Sequence, residues 1–341
     1  MAVESVPPPS DSADPGVPWH YGDPLAEQRE LLAGTALVDL SHRGVVTIVG
    51  PDRLDWLNDL TTAKLDDLPP GIPRLALILD PHGRVEQELH LVDDGTTTWI
   101  TVEPGAAGPL VEYLRSMQFL RQVEVSDVSS DWAVIGSVGR REPLAQEAAQ
   151  WRVPDEFAGT GTTPAGTDRG GGAEKYVPRR PATFAATEHL VPRIAAAERL
   201  AVAPARSGTW AWEALRVAAA VPRLGIDTDA RSLPHELGWI GPAVHLAKGC
   251  YRGQETVART HNMGRPPRRL VLLHLDGSAD RTPAPGAEVT AGDGRVVGRV
   301  TSVAQHHELG PIALAVIKHR VDPDEPLSAD GIAAAQEIVV V

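Results

Sequence analysis

The sequence predicts an α+β chain that ends in a small β-barrel, and three observations carry that reading. From Arg74 to Val102, strand-like apolar stretches break at Pro81-His82-Gly83 and at Asp94-Gly95, the signature of an antiparallel meander. Helical apolar spacing marks other segments, notably Thr209 to Ala220. After Arg268 the chain alternates short strands with turn signals for about 75 residues, a length that suits a small closed barrel.

The first eighteen residues, MAVESVPPPSDSADPGVP, are acidic and Pro-rich without an apolar run. A disordered tail is expected there, not a secretory signal or a membrane span. Thr35 to Asp52 reads as strand, turn, strand, closed by the Gly50-Pro51 break. Leu54, Leu57 and Leu60 then predict a short amphipathic helix. The meander follows, and Pro109 to Leu120 reads as a helix that covers it. Residues 158 to 181 are rich in Gly, Thr and Pro without periodicity, so a flexible surface excursion is expected. Thr209 is the expected N-cap of the next helix and Pro222 its stop. In the C-terminal run, Asp293-Gly294 occupies a hairpin position.

Composition narrows the function classes. The 341 residues carry 32 Lys plus Arg against 45 Asp plus Glu, a formal charge of -13. Binding to nucleic acid by bulk charge needs a basic face, so that class is excluded. With Cys250 as the single cysteine, neither an internal disulfide nor a multi-cysteine metal site can form, and a reducing, cytoplasmic setting is expected. His42 and the pair His306-His307 fall in loop or turn contexts without metal-ligand spacing and read as solvated.

The stretch KGCYRGQET, Lys248 to Thr256, is where chemistry concentrates. It sets the only cysteine between Gly249 and Gly253, beside Lys248 and Arg252, just ahead of a helix expected near Gln254. Helix N-terminal N–H groups and nearby cations both favour thiolate over thiol. Glycines permit positive φ and would hold the sulfur at the surface. Those are the conditions of a reactive thiol; the competing reading is a small buried hydrophobe.

The string KGCYRGQETVAR, preceded by LRVAAAVPRLGIDT and LPHELGW and followed by RRLVLLHL, resembles the YgfZ folate-binding proteins, relatives of the glycine-cleavage T protein, an aminomethyltransferase. Upstream, ALVDLSHRGVVTIVGPDRLDWLNDLTT is similar to the opening of the same superfamily. The resemblance runs from about Leu31 to Ile317 and implies a three-domain ring around a central folate cavity. Residues 19–50 plus 127–264 would form a discontinuous α+β folate-binding domain. Residues 51–126 would be an inserted α+β domain and 265–341 the barrel. It further implies that tetrahydrofolate, or a related folate, is bound through Arg216 and the motif residues Lys248, Gly249, Tyr251, Arg252, Gly253, Gln254 and Glu255.

Departures from the T-protein pattern set the expected activity. The paired aspartates of the T protein are Gln87 and Glu88 here. Glu88 keeps a carboxylate one methylene longer, and displacements of ~1 Å can cost on the order of 100-fold in rate. Glu86 and Glu88 are expected on a solvated strand face. The T-protein glutamate that meets the pterin is Ala218. Arg216 matches and would pair with a folate carboxylate or brace the cavity, a structural ion pair being the equal alternative. The family branch implied is an accessory factor for iron-sulfur cluster assembly or maintenance, serving iron-sulfur client proteins such as radical enzymes that modify tRNA, with Cys250 as the reactive thiol or a transient cluster ligand, aided by Lys248. No membrane partner is expected. Two alternatives stand beside it: a folate-dependent one-carbon transferase using Glu88, expected if Glu88 points into the cavity, and a folate-binding scaffold, expected if the Cys250 sulfur is buried.

Overall fold

The computed structural model describes residues 4–139, 142–158, 182–263 and 265–340. Apart from Ala158, the expected excursion at 158–181 lies outside the described residues.

Two five-stranded sheets and a closed six-stranded barrel organise the described residues. The first sheet has the order β10-β1-β7-β9-β8, with β1 Ala36–Asp39, β7 Trp132–Val138, β8 Ala149–Arg152, β9 Ala186–Pro192 and β10 Ala205–Ser207. Its strands thus come from two stretches separated by about ninety residues of chain, which form the second sheet. That second sheet is β3-β4-β5-β2-β6, with β2 Gly44–Val49, β3 Pro73–Leu79, β4 Val85–Asp93, β5 Thr97–Val102 and β6 Glu124–Asp127. β2, expected in the first domain, pairs antiparallel with β5 and β6 instead. A four-residue turn at 40–43 is enough to carry the chain from one sheet to the other.

Helices α2 (Arg53–Leu60) and α3 (Ala107–Ser116) cover the second sheet. They bury Trp56, Leu57, Leu110, Val111 and Leu114 against Val46, Ile48, Ile78, Leu89 and Ile100. The predicted meander turns fall where β3, β4 and β5 meet. The first sheet packs against α1 (Pro24–Leu32), α5 (Arg193–Ala201) and α6 (Thr209–Ala218). A short helix α4 (Asp155–Ala158) follows β8. The N-cap of α6 is Gly208, not Thr209; a Cβ at 208 would stand 2.1 Å from Trp19 O, so only glycine fits there.

The barrel comprises β11 (Arg268–Leu275), β12 (Glu288–Ala291), β13 (Val296–His306), β14 (Gly310–Lys318), β15 (Leu327–Ala329) and β16 (Ile332–Ile338). Asp293-Gly294 turns β12 into β13, with Gly294 at φ +81°. The run RRLVLLHL shows no polar alternation because β11 is buried on both faces. Val271 and Leu273 join one apolar cluster with the barrel strands, while Leu270 and Leu272 join the central core with α6 residues. Each such Leu, removed from water, contributes about 1.5–3 kcal/mol.

Residues 4–18, expected as a disordered tail, pack against the body: Val17 and Asp14 are buried, and Val6 bridges to His20. Composition predicted disorder because the acidic, Pro-rich stretch has nothing to bury alone; its partners come from distant segments.

Candidate functional site

A cavity enclosing about 450 Å³ of empty space, part of it open to solvent, lies where elements of both sheets meet α6. β4 contributes Glu88 and His90, two residues apart and so on one strand face. From β9 comes Glu188, from the β1–β2 turn Arg43, and from β8 Trp151. Trp212 and Arg216 of α6, with Arg223 beyond it, complete the part that matters chemically.

Charge is concentrated here and internally matched. Glu188 pairs with Arg43, accepts from His90 Nδ1 at 2.9 Å and from Thr101 Oγ1 at 2.5 Å. Burial alone would raise its pKa, but Arg43 and His90 outweigh that and bring it down to about 2. For His90, burial pulls down, yet the charge and hydrogen bond of Glu188, helped by Glu88, carry it up to about 9. The imidazole is therefore cationic at neutral pH. Its ring lies flat on Trp151, with centroids 3.6 Å apart and planes 4° apart, a cation-on-indole stack.

The sign of the pH dependence follows. Because the folded pKa of His90 stands above the unfolded 6.5, its contribution is complete below pH 6.5 and is lost as pH rises through about 9. Glu188 acts in the opposite sense, its contribution being present above pH 4.5 and lost as pH falls through about 2. A His90→Asn variant is expected to lose stability, relative to the parent, on the order of 3 kcal/mol near pH 6 and much less at pH 10. Urea unfolding across that range checks it; a difference that stays constant from pH 6 to 10 contradicts the imidazolium.

Glu88 is not solvated as expected. It is 7% exposed and faces the cavity, while Glu86 is exposed and pairs with Arg252 at 3.3 Å. The register shifts at Ile78/Leu79, opposite Gln87 and Val85, so Glu86 sits in a bulge and escapes the pleat. Glu88 Oε2 accepts from the Leu224 N–H at 3.1 Å, and Oε1 lies 3.8 Å from His90 Nε2. Ala218, the other altered position, is fully buried in the apolar core.

Arg216 reaches the cavity wall with its donors already engaged. Nε and Nη2 donate to Glu213, Nη1 to Asp227 and the Val221 carbonyl, and Nη2 also to Ser302 of β13. Asp227, 0% exposed, in turn accepts from Thr301 and Ser302. Arg216 is a brace between α6 and the barrel. Arg223 is engaged similarly: Asp14 meets Nη2 at 2.7 Å and Glu103 meets it at 2.8 Å. His42, expected in solvent, has a side chain only 5% exposed and donates to Asp14 at 2.8 Å.

The KGCYRGQE loop stands apart from this cavity, whose lining includes none of residues 248–255. Cys250 is exposed, as a reactive thiol requires. Lys248 Nζ donates to the carbonyls of Asn58, Thr61 (2.6 Å) and Ala63 (3.0 Å) at the end of α2. Burial lowers its pKa to about 8, and with three acceptors its donors are spent, so it staples the loop to the end of α2. Tyr251 packs against the central core, where burial and Glu255 push its hydroxyl up to about 12. Gln254 Oε1 accepts from the Tyr251 N–H at 2.9 Å, at the start of α7 (Gln254–Met263). Gly253 (φ +82°) and Gly83 (φ +76°) press the loop onto the β3–β4 turn. Gly249 has no positive φ and no close neighbour.

Sequence reasoning missed His90, Glu188, Arg43, Arg223 and Asp14. Two signals were present: a charged Glu188 inside the apolar strand ATEHLVP, and His90 two residues after Glu88.

The fold is a three-part α+β arrangement of two sheets and a barrel, with a charged cavity where both sheets meet α6. The sequence matches the GCVT N-terminal domain over residues 16–163 and the glycine cleavage T-protein C-terminal barrel domain over residues 268–340. The chain belongs to the glycine-cleavage T-protein superfamily. An aminomethyltransferase of Streptomyces coelicolor is 27% identical over 321 residues, covering 90% of this chain and 85% of that one. The tRNA-modifying protein YgfZ of Yersinia enterocolitica is 25% identical, covering 78% of each. A chloroplast protein of Arabidopsis thaliana described as a candidate transferase is 26% identical; this chain spans 62% of it, and 79% of this chain is covered. The solved aminomethyltransferase T of Bartonella henselae superimposes with a TM-score of 0.73 at 18% identity, covering 99% of this chain and 93% of that one, a likeness of fold.

Proposed function

We propose that the protein binds tetrahydrofolate in the Glu88–His90 cavity and serves iron-sulfur enzymes as an accessory factor through the exposed Cys250 thiol. The donors and acceptors of the cavity suit a folate. Arg43 Nε, buried, has no acceptor among the described residues, and Glu88 Oε1 lies beyond hydrogen-bond length of His90. A flat heterocycle with both an acceptor and a donor on its edge satisfies the two at once.

The observation that carries the accessory reading over one-carbon transfer is the neighbour of Glu88. The carboxylate does point into the cavity, which is the geometry a transferase needs. But the imidazolium of His90 lies 3.8 Å away, so the negative charge that would attract and position an amine or its cationic adduct is already countered. An iron-sulfur cluster needs about four ligands, and one cysteine supplies one, so a client or carrier must bring the rest.

Calorimetry with tetrahydrofolate and complementation of cells lacking the protein test the reading together. Cys250→Ala is expected to leave folate binding unchanged, because the loop does not line the cavity, and to fail in restoring iron-sulfur enzyme activity. Full restoration by Cys250→Ala removes the thiol from the function and leaves a folate-binding scaffold. Production of methylene-tetrahydrofolate from an aminomethylated carrier at ~1 per second or more makes the protein a transferase.

A further inference from the structure

One arginine of the cavity wall is held from behind by a carboxylate of the protein's own N-terminal segment, which itself does not line the cavity. Arg223 lines the wall, and the residue seated on it is Asp14 of the N-terminal segment. Oδ1 accepts from Arg223 Nη2 at 2.7 Å and from His42 Nε2 at 2.8 Å, and Oδ2 stands 3.3 Å from Nη1. This is a two-sided cradle for a carboxylate, built from a guanidinium fork and an imidazole N–H. Its side chains are shielded from solvent: Asp14 is 4% exposed and Arg223 3%, and the His42 side chain is 5% exposed.

Asp14 is delivered by the N-terminal segment, residues 4–18. Its ends are gripped: Val6 exchanges backbone hydrogen bonds with Trp19 and His20, and the Pro18 and Trp19 carbonyls accept from Thr209 and Trp210. Between Val6 and Val17, Asp14 is the one buried residue, and the turn there bonds to itself, Ser12 N–H to Pro9 O and Asp14 N–H to Ser12 Oγ. The stretch is a strap whose one buried anchor between those ends is charged.

We infer that Arg223 and His42 form a subsite for a ligand carboxylate, and that Asp14 is an internal stand-in which such a carboxylate displaces, releasing the strap. The inference rests on the folate reading of the cavity, since the glutamyl tail of a folate carries the carboxylates and its pterin does not. Arg223 keeps Glu103 at 2.8 Å and Glu213 at 3.3 Å, so exchanging one carboxylate for another leaves the buried guanidinium paired throughout. A ligand without a carboxylate leaves Asp14 in place. An occupied subsite multiplies the intrinsic affinity by the fraction of molecules in which it is open.

The test pairs two probes with two proteins. Tetrahydrofolate and 6-methyltetrahydropterin, which has no carboxylate, are titrated into the parent protein and into Asp14→Asn by calorimetry. The expected result is that Asp14→Asn tightens tetrahydrofolate at least ~5-fold and leaves the pterin unchanged. Hydrogen exchange of residues 10–16 in the parent protein is expected to quicken when tetrahydrofolate binds and to stay unchanged with the pterin. That second measurement stands even if Asp14→Asn does not fold. Equal tightening of both probes, weaker binding of tetrahydrofolate, or slower exchange in the strap on binding overturns the inference. If neither probe binds either protein, the folate reading itself has failed, and the subsite falls with it.

Discussion

Arg216→Met is expected to lower stability by about 3–5 kcal/mol and the unfolding temperature by roughly 10 °C. The side chain is 3% exposed and its guanidinium is held by Glu213, Asp227, Ser302 and the Val221 carbonyl. Methionine fills much of the volume but leaves Asp227 buried with no guanidinium to answer it. A carboxylate in that position costs several kcal/mol, more than the ion pair itself is worth against an apolar substitute. Asp227→Asn added to Arg216→Met is therefore expected to recover part of the loss, because it removes the uncompensated charge while keeping the contacts to Thr301 and Ser302. Thermal and urea unfolding read both. If Arg216→Met keeps the parental stability but loses tetrahydrofolate, Arg216 is a ligand group after all and the brace is wrong.

The brace illustrates what was legible in the sequence. The partners that make Arg216 structural are local in part, Glu213 three residues before it and Asp227 eleven after, but Ser302 lies 86 residues away. Elements governed by local pattern could be placed in advance. Turns at Pro81-His82-Gly83 and Asp94-Gly95 join β3, β4 and β5, and Asp293-Gly294 joins β12 to β13. The two-faced burial of β11 is visible as an unbroken apolar run. What depends on distant pairing was out of reach. β2 belongs to the second sheet because of β5 and β6, not because of anything within GVVTIV. The charged cavity draws on residues 43, 90 and 188, and the ordered strap at Asp14 depends on Arg223, 209 residues away. Glu88 was misplaced for a different reason. A strand read with period 2 puts Glu86 and Glu88 together, and only a bulge separates them.

The two glycines that frame Cys250 look equivalent in sequence and are expected to behave in opposite ways when replaced by alanine. Gly253 has φ +82°, where an L side chain is strained, and a Cβ there would lie 2.4 Å from the Asp80 carbonyl oxygen and 2.9 Å from the Gly83 backbone. Those neighbours are main chain in a tight turn, so they cannot rotate away as a side-chain tip would. Gly253→Ala is expected to cost about 2–4 kcal/mol, from strained φ and forced backbone movement together. Gly249 has no positive φ and nothing within 4 Å of its Cβ position, so Gly249→Ala is expected to stay within about 0.5 kcal/mol of the parent. The consequence for function is specific to the loop. Pushing Gly253 off the β3–β4 turn loosens the contact between Arg252 and Glu86 and the seat of Tyr251, and Cys250 lies between that contact and the Lys248 staple. Alkylation of Cys250 by iodoacetamide at pH 7 is expected to change severalfold in Gly253→Ala and to match the parent in Gly249→Ala. Equal stability and equal alkylation rates in the two variants would mean that the Gly83–Gly253 contact does not hold the thiol loop in place.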